Sequence, residues 1–145
     1  MLKRLMATSN DLSFTILRLV LGVVFFAHGA QKMLGWFGGF GFHATMGFFA
    51  HLGMPAPVAL LVICTEFFGG LGLIAGLLTR IAALGIAGEM IGAILMVHLA
   101  NGFFMNWMGN QKGEGFEYHL LVIAMGAALL LRGAGAFSLD RALSK

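Results

Sequence analysis

The chain has 145 residues, 59% of them hydrophobic and only 10% charged, where soluble domains run at about 45–50% and about 25%. Nine Lys+Arg and six Asp+Glu cannot cover so apolar a chain for water, which excludes a soluble globular enzyme, and 14 Phe with 10 Met exclude disorder. The lone cysteine, Cys64, excludes an internal disulfide, a Cys-x-x-Cys redox pair and the usual structural zinc sites, so no metal centre is expected. The formal charge of +3 comes from basic residues too scattered to grip nucleic acid, so a nucleic-acid partner is excluded as well.

Four apolar segments each approach the roughly 20 residues needed to cross a bilayer as a helix. They run about Leu12 to Leu34, Val58 to Leu78, Ile81 to Ala100 and Tyr118 to Phe137. No short alternating segments suggest a barrel. The expectation is an all-α integral membrane bundle of four transmembrane helices, forming a single domain over residues 1–145. Arg18 inside the first run argues against a cleaved signal peptide. Segment 35–57, rich in aromatics and glycine and ending Gly-Met-Pro-Ala-Pro, reads as an interfacial or re-entrant cap, with a short helix from His43 to Leu52 stopped by Gly53 and Pro55. Segment 101–117 is the watery connection. Lys3, Arg4, Arg80, Arg132, Arg141 and Lys145 all fall on one side of a four-pass arrangement, so the positive-inside rule puts both termini in the cytoplasm. Gly72 with Gly76 and Gly88 with Gly92 have Gly-x-x-x-Gly spacing and are expected to let helices pack closely within the bundle.

Ionisable groups at membrane depth cost at least ~2.5–3.5 kcal/mol each and are candidates for function. Here they are Arg18, His28 and Lys32 in the first helix, Glu66 in the second, Glu89 and His98 in the third, and His119 at the head of the fourth. At ~100° per residue, His28 and Lys32 share a stripe, and both lie in the same outer half as Glu66, so a Glu66 contact to Lys32 or His28 is geometrically natural. Glu89 and His98 lie ~180° apart on their helix. The simplest division is an inner Arg18–Glu89 pair, more often structural than catalytic, and an outer cluster of His28, Lys32, Glu66 and His98 with Tyr118 and His119. Cys64 among apolar neighbours is expected to be unreactive. The aromatics of the outer half, Phe25, Phe26, Trp36, Phe37, Phe40, Phe48, Phe103, Phe104 and Trp107, are consistent with an interfacial belt or with an apolar pocket for a flat lipid-soluble molecule.

On Arg18, His28-Gly29-x-x-Lys32, Gly53-x-Pro55, Glu66-x-x-Gly69-Gly70, Gly76-x-x-Thr79, Ala82-Ala83, Met90, His98 with Gly102-Phe103, Glu117-Tyr118 and Ser138-Leu139-Asp140, the chain resembles the DoxX family of small four-helix bacterial inner-membrane proteins. The likeness covers roughly residues 14 to 141. It implies an oxidoreductase or oxidoreductase subunit of the cell inner membrane, linked through relatives to quinones and oxidative stress. With no Gly-x-Gly-x-x-Gly fingerprint in a βαβ context and no second cysteine, the electrons of any redox chemistry must come from a partner protein, a bound quinone or a haem. The expected function is binding of a quinone-like molecule in the outer half, with Glu66, His28 and Lys32 as catalytic candidates and His98, Arg18, Tyr118 and His119 as ligand-binding candidates, because quinone reduction takes up protons. A b-type haem between His28 and His98 is the weaker reading, since buried histidines are more often hydrogen-bonded core groups. The alternative from another class is a non-catalytic membrane scaffold or small-solute carrier whose polar cluster is structural.

Overall fold

The computed structural model describes residues 5–144, so Lys3, Arg4 and Lys145, used above for orientation, lie outside the described residues. Six helices follow one another: α1 (Leu12–Leu34), α2 (Gly41–His51), α3 (Ala56–Ala75), α4 (Thr79–Asn101), α5 (Glu117–Arg132) and α6 (Leu139–Ser144), with no strand among the described residues. Three of them, α1, α3 and α4, are long and apolar enough to cross a membrane. α1 occupies the expected range residue for residue. Its start is set by Asp11, whose carboxylate accepts from the Ser13 amide at 2.8 Å, and its end by Gly35 at φ 74°. These are the usual anionic N-cap and left-handed C-terminal stop.

The fourth helix departs from expectation. α5 has 16 residues and stops at Arg132, giving ~24 Å of helix, instead of running on to Phe137. The apolar tail misled because its glycines are backbone devices: Gly133 and Gly135 have φ of 77° and 75°, and a Cβ at Gly135 would lie 2.6 Å from the Asp11 carbonyl oxygen and 2.7 Å from the Thr15 nitrogen. Residues 133–138 thus leave the helix and wrap the start of α1, where the Thr15 hydroxyl donates to the Ala136 carbonyl at 2.6 Å.

α1, α3, α4 and α5 surround one core, in which Leu21, Phe25, Leu73, Ile86, Met90, Val122 and Leu129 are buried. The close backbone contacts are between α1 and α3. A Cβ on Gly29 would fall inside the Glu66–Phe67 backbone, one on Gly70 would fall against Phe26, and one on Gly22 would be 2.9 Å from the Ile74 nitrogen. The Gly-x-x-x-Gly pairs play no such part, contrary to expectation. Gly76 is a left-handed helix stop at φ 67°, and a Cβ at Gly88 or Gly92 would meet nothing within 4 Å. Spacing alone does not say which face of a helix meets a neighbour.

Arg18 belongs to a lock at the end of the bundle where residues 5–12 and 132–144 gather. Its guanidinium donates to four carbonyls, those of Ala134 (2.8 Å), Leu73 (2.7 Å), Ile74 (2.6 Å) and Phe137 (2.8 Å). Leu73 and Ile74 close α3, where a helix presents its negative dipole end. Beside it, the Asp140 carboxylate accepts from the Leu78 and Thr79 amides at 2.7 and 2.9 Å and so caps α4. Both side chains are almost wholly buried, at 2% and 1% exposure. Gly76 makes room, because a Cβ there would be 3.0 Å from the guanidinium carbon. The expected Arg18–Glu89 pair does not form. Arg18 finds its partners in two carbonyls at the end of α3 and two in the segment after α5, with Asp140 within electrostatic reach, while Glu89 lies further along the bundle.

Candidate functional site

Toward the opposite end of the bundle, Gly29 brings α1 onto α3 beside Glu66, and Lys32 follows one turn later on α1. The Lys32 ammonium lies 2.7 Å from Glu66 Oε1, to which it donates, and 2.6 Å from Oε2. The Glu66 side chain is 7% exposed and that of Lys32 25%, so the carboxylate is the buried partner and the lysine links it to the surface. Glu66 also sits in an irregular stretch: residues Thr65–Gly69 form a π-helical turn inside α3. A second π turn, Ile94–His98, ends with His98 in α4. Such turns are rare and collect at functional sites, and no composition signal distinguishes them from ordinary helix.

Glu89 on α4 comes within side-chain hydrogen-bond reach of Glu66. Among the described residues, Glu89 Oε2 is buried without a hydrogen-bond partner, and the Lys32 ammonium is the one donor beside Glu66 Oε2. Tyr118 on α5 is within electrostatic reach of both carboxylates. Lys32, Glu66, Glu89 and Tyr118 therefore converge from α1, α3, α4 and α5. Glu89 was placed with Arg18 by sequence. Counting along the observed helices puts it ~15 Å from the start of α4, level with Glu66 at ~14 Å from the end of α3, whereas Arg18 sits at that end of α3 itself, on the Leu73 and Ile74 carbonyls.

The other expected residues divide around this centre. His28 is exposed and makes no hydrogen bond among the described residues, although Lys32 and Glu66 are within electrostatic reach. His98 and His119 pack ring against ring with centroids 4.1 Å apart. His98 Nδ1 is 2.8 Å from the Glu114 carbonyl oxygen, which anchors α4 to the connection before α5, and His119 Nδ1 is buried with no partner. That connection is itself ordered by its acids: Glu114 accepts from the Asn106 amide at 2.7 Å and Glu117 from the Met105 amide at 2.8 Å. Arg18 stands 14 residues before Lys32 on the same helix, ~21 Å away, and contributes nothing to this cluster. No group of three or more His, Cys, Asp or Glu suited to a metal occurs among the described residues.

A cavity of about 450 Å³ opens beside Lys32, between the last turns of α1 and α2. Its walls are Gln31, Lys32, Gly38, Gly39, Phe40, Ala44, Thr45, Phe48 and Phe49. Gly39 permits the fold over α1, since a Cβ there would fall inside the Gln31 backbone, and the Gln31 amide donates to the Phe37 carbonyl at 3.2 Å. The base of α2 is held by Phe49 packed with Ala59 and Ile63 of α3. The lining is apolar and aromatic, with one ammonium, one amide and one hydroxyl, in the size range of small-molecule sites. The sequence suggested a ring-lined pocket and, of this wall, Phe40 and Phe48 but not Phe49. The helical period of α2 over Thr45, Phe48 and Phe49 was the signal available.

Residues 13–99 match the DoxX family profile. The chain is similar to "Putative oxidoreductase CatD" of Bacillus subtilis (strain 168), with 35% identity over 93% of this chain and 90% of the relative. It is also similar to "Inner membrane protein YqjF" of Escherichia coli (strain K12), with 29% identity over 94% and 95%. A third relative, "Uncharacterized membrane protein Rv3486" of Mycobacterium tuberculosis (strain ATCC 25618 / H37Rv), is 32% identical over 98% of this chain and 88% of its own length. No solved structure matches significantly. The family match over residues 13–99, the near full-length relatives and the apolar helices together place the chain in the DoxX family of membrane proteins.

Proposed function

We propose that this protein binds a quinone-like, lipid-soluble molecule in the cavity beside Lys32, as an inner-membrane oxidoreductase or the membrane subunit of one. The observation that carries the reading is the joining of an aromatic-walled cavity of about 450 Å³ to the Lys32–Glu66 ion pair. A flat ring fits between Phe40, Phe48 and Phe49, and the Lys32 ammonium is a charged hydrogen-bond donor for its carbonyl oxygen. Glu66 orients that ammonium. The names of two relatives, an oxidoreductase and an inner-membrane protein, agree in class.

In this arrangement α5 completes a four-helix crossing and α2 lies as a re-entrant cap in the outer half of the bilayer. Arg80, Arg132 and Arg141 then face the cytoplasm with both termini, following the positive-inside rule, and a redox partner protein supplies electrons. The scaffold reading is favoured at the Arg18–Asp140 lock, where the buried polar groups are engaged with backbone carbonyls and amides. It is not favoured at Lys32, whose charged ammonium itself lines a cavity.

The test is purification in mild detergent, solvent extraction with mass spectrometry, and titration with a short-chain benzoquinone. The expected result is a bound quinone in the native protein and at least tenfold weaker binding in folded Lys32→Met and Glu66→Gln proteins, in line with the loss of about 1.5–3 kcal/mol for a charged hydrogen bond. Unchanged binding in both folded variants would refute the assignment.

A further inference from the structure

Each of the six Asp and Glu residues of the chain falls into one of two groups. Asp11, Glu114, Glu117 and Asp140 each accept a hydrogen bond from a backbone amide, which suits the ionised carboxylate. Glu66 and Glu89 differ. They come within side-chain hydrogen-bond reach of each other, Glu89 keeps one buried oxygen with no donor, and Glu66 has no donor but Lys32 among the described residues. Two carboxylates in that position repel each other unless a proton lies between them. The charged and titratable groups facing them are Lys32 and, farther out, His28 from α1, and Tyr118 from α5. One ammonium balances one carboxylate, and one carboxylate is left over. A buried net charge at this depth is costly.

We propose that Glu66 and Glu89 share a single exchangeable proton, balanced by Lys32, and that Glu89 is the proton-holding residue of the site. The pair then reads as a carboxylic acid donating to a carboxylate that the ammonium also holds. That gives the unpartnered Glu89 oxygen a partner with one proton and leaves the cluster neutral. Glu89 does not line the cavity and acts through Glu66. What the proton serves rests on the quinone reading above, because a ligand oxygen at Lys32 would lie one carboxylate away from it. The existence of the proton does not rest on that reading.

Infrared difference spectra of the detergent-purified full chain in H2O and D2O test the proposal without any ligand. The expected result at neutral pH is one protonated-carboxyl C=O band that shifts on deuteration. It should be lost in Glu89→Gln, whose amide keeps a neutral donor toward Glu66 and so keeps the fold, and retained in Tyr118→Phe. If Glu89→Gln does not fold, Glu89→Asp replaces it and should move the band. A folded native protein with no such band, a band that survives in folded Glu89→Gln, or a band unmoved in folded Glu89→Asp overturns the proposal. Titration with a short-chain benzoquinone separates the two readings: a band in protein that binds no quinone upholds the shared proton and refutes the cavity assignment.

Discussion

Replacing Asp140 tests the lock quantitatively. Its two oxygens hold the Leu78 and Thr79 amides at 2.7 and 2.9 Å, and the residue is 1% exposed. Asp140→Ala removes two charge-assisted hydrogen bonds, each of about 1.5–3 kcal/mol, and strands two amides at the start of α4. It also leaves the buried Arg18 guanidinium without its nearby negative charge. These contributions overlap, so the expected loss is about 4 kcal/mol. For a chain of this size that lowers the melting temperature by on the order of 10 °C. Asp140→Asn keeps one acceptor and should lose about half as much. Cys64 is the only cysteine and lies partly buried in α3, so its reaction with a thiol-sensitive dye during heating reports unfolding directly. A shift of under about 2 °C for Asp140→Ala would show that the capping and charge argument is wrong.

Four further outcomes follow from the same reasoning. Gly29→Ala places a Cβ inside the Glu66–Phe67 backbone and should cost several kcal/mol, read as lost yield and melting temperature; near-native stability would mean that α1 and α3 are farther apart than described. Gly88→Ala meets open space and should stabilise α4 by about 0.5–1 kcal/mol; destabilisation in the same melting assay would show that this face is covered. Lys32→Met strands the buried Glu66 charge and should cost about 3–5 kcal/mol, whereas Lys32→Met with Glu66→Leu should recover most of it, a cycle that fails if the double variant is no more stable than the single. Cysteines introduced at Asn110 and at Ser144 should react differently with an impermeant thiol reagent on intact cells, Asn110→Cys labelling and Ser144→Cys not; the opposite pattern would reverse the proposed orientation.

Much of the framework was legible because it depends on strong, local signals. The bounds of α1 follow from an apolar run between Asp11 and Gly35, and a Glu66 contact to Lys32 or His28 follows from depth and angle, of which the structure shows the one to Lys32. The Arg18–Glu89 pairing failed because a buried arginine was matched only to side-chain charges. Carbonyls at the ends of helices accept just as well, and Gly76, Thr79, Ser138 and Asp140 were the sequence trace of that arrangement. The end of α5 was misplaced because Gly133 and Gly135 look like apolar filler until their positive φ is known. The π turns around Glu66 and His98 leave no mark on the hydrophobic pattern, so the inclusion of Glu89 in the site awaited the packing of α4 on α3.

The lock also has a bearing on how the chain is made. Arg18 donates to Ala134 and Phe137, partners 116 and 119 residues away in sequence. At a synthesis rate of about 5–20 residues per second, roughly 6–24 s separate the appearance of Arg18 from that of Asp140. Throughout that interval the guanidinium has none of its C-terminal partners and must rest among lipid headgroups or translocation machinery, with α1 held short of its final depth. Seating of the first helix is therefore among the last events of biogenesis, and a ribosome stalled before residue 134 would leave a nascent chain whose bundle cannot close.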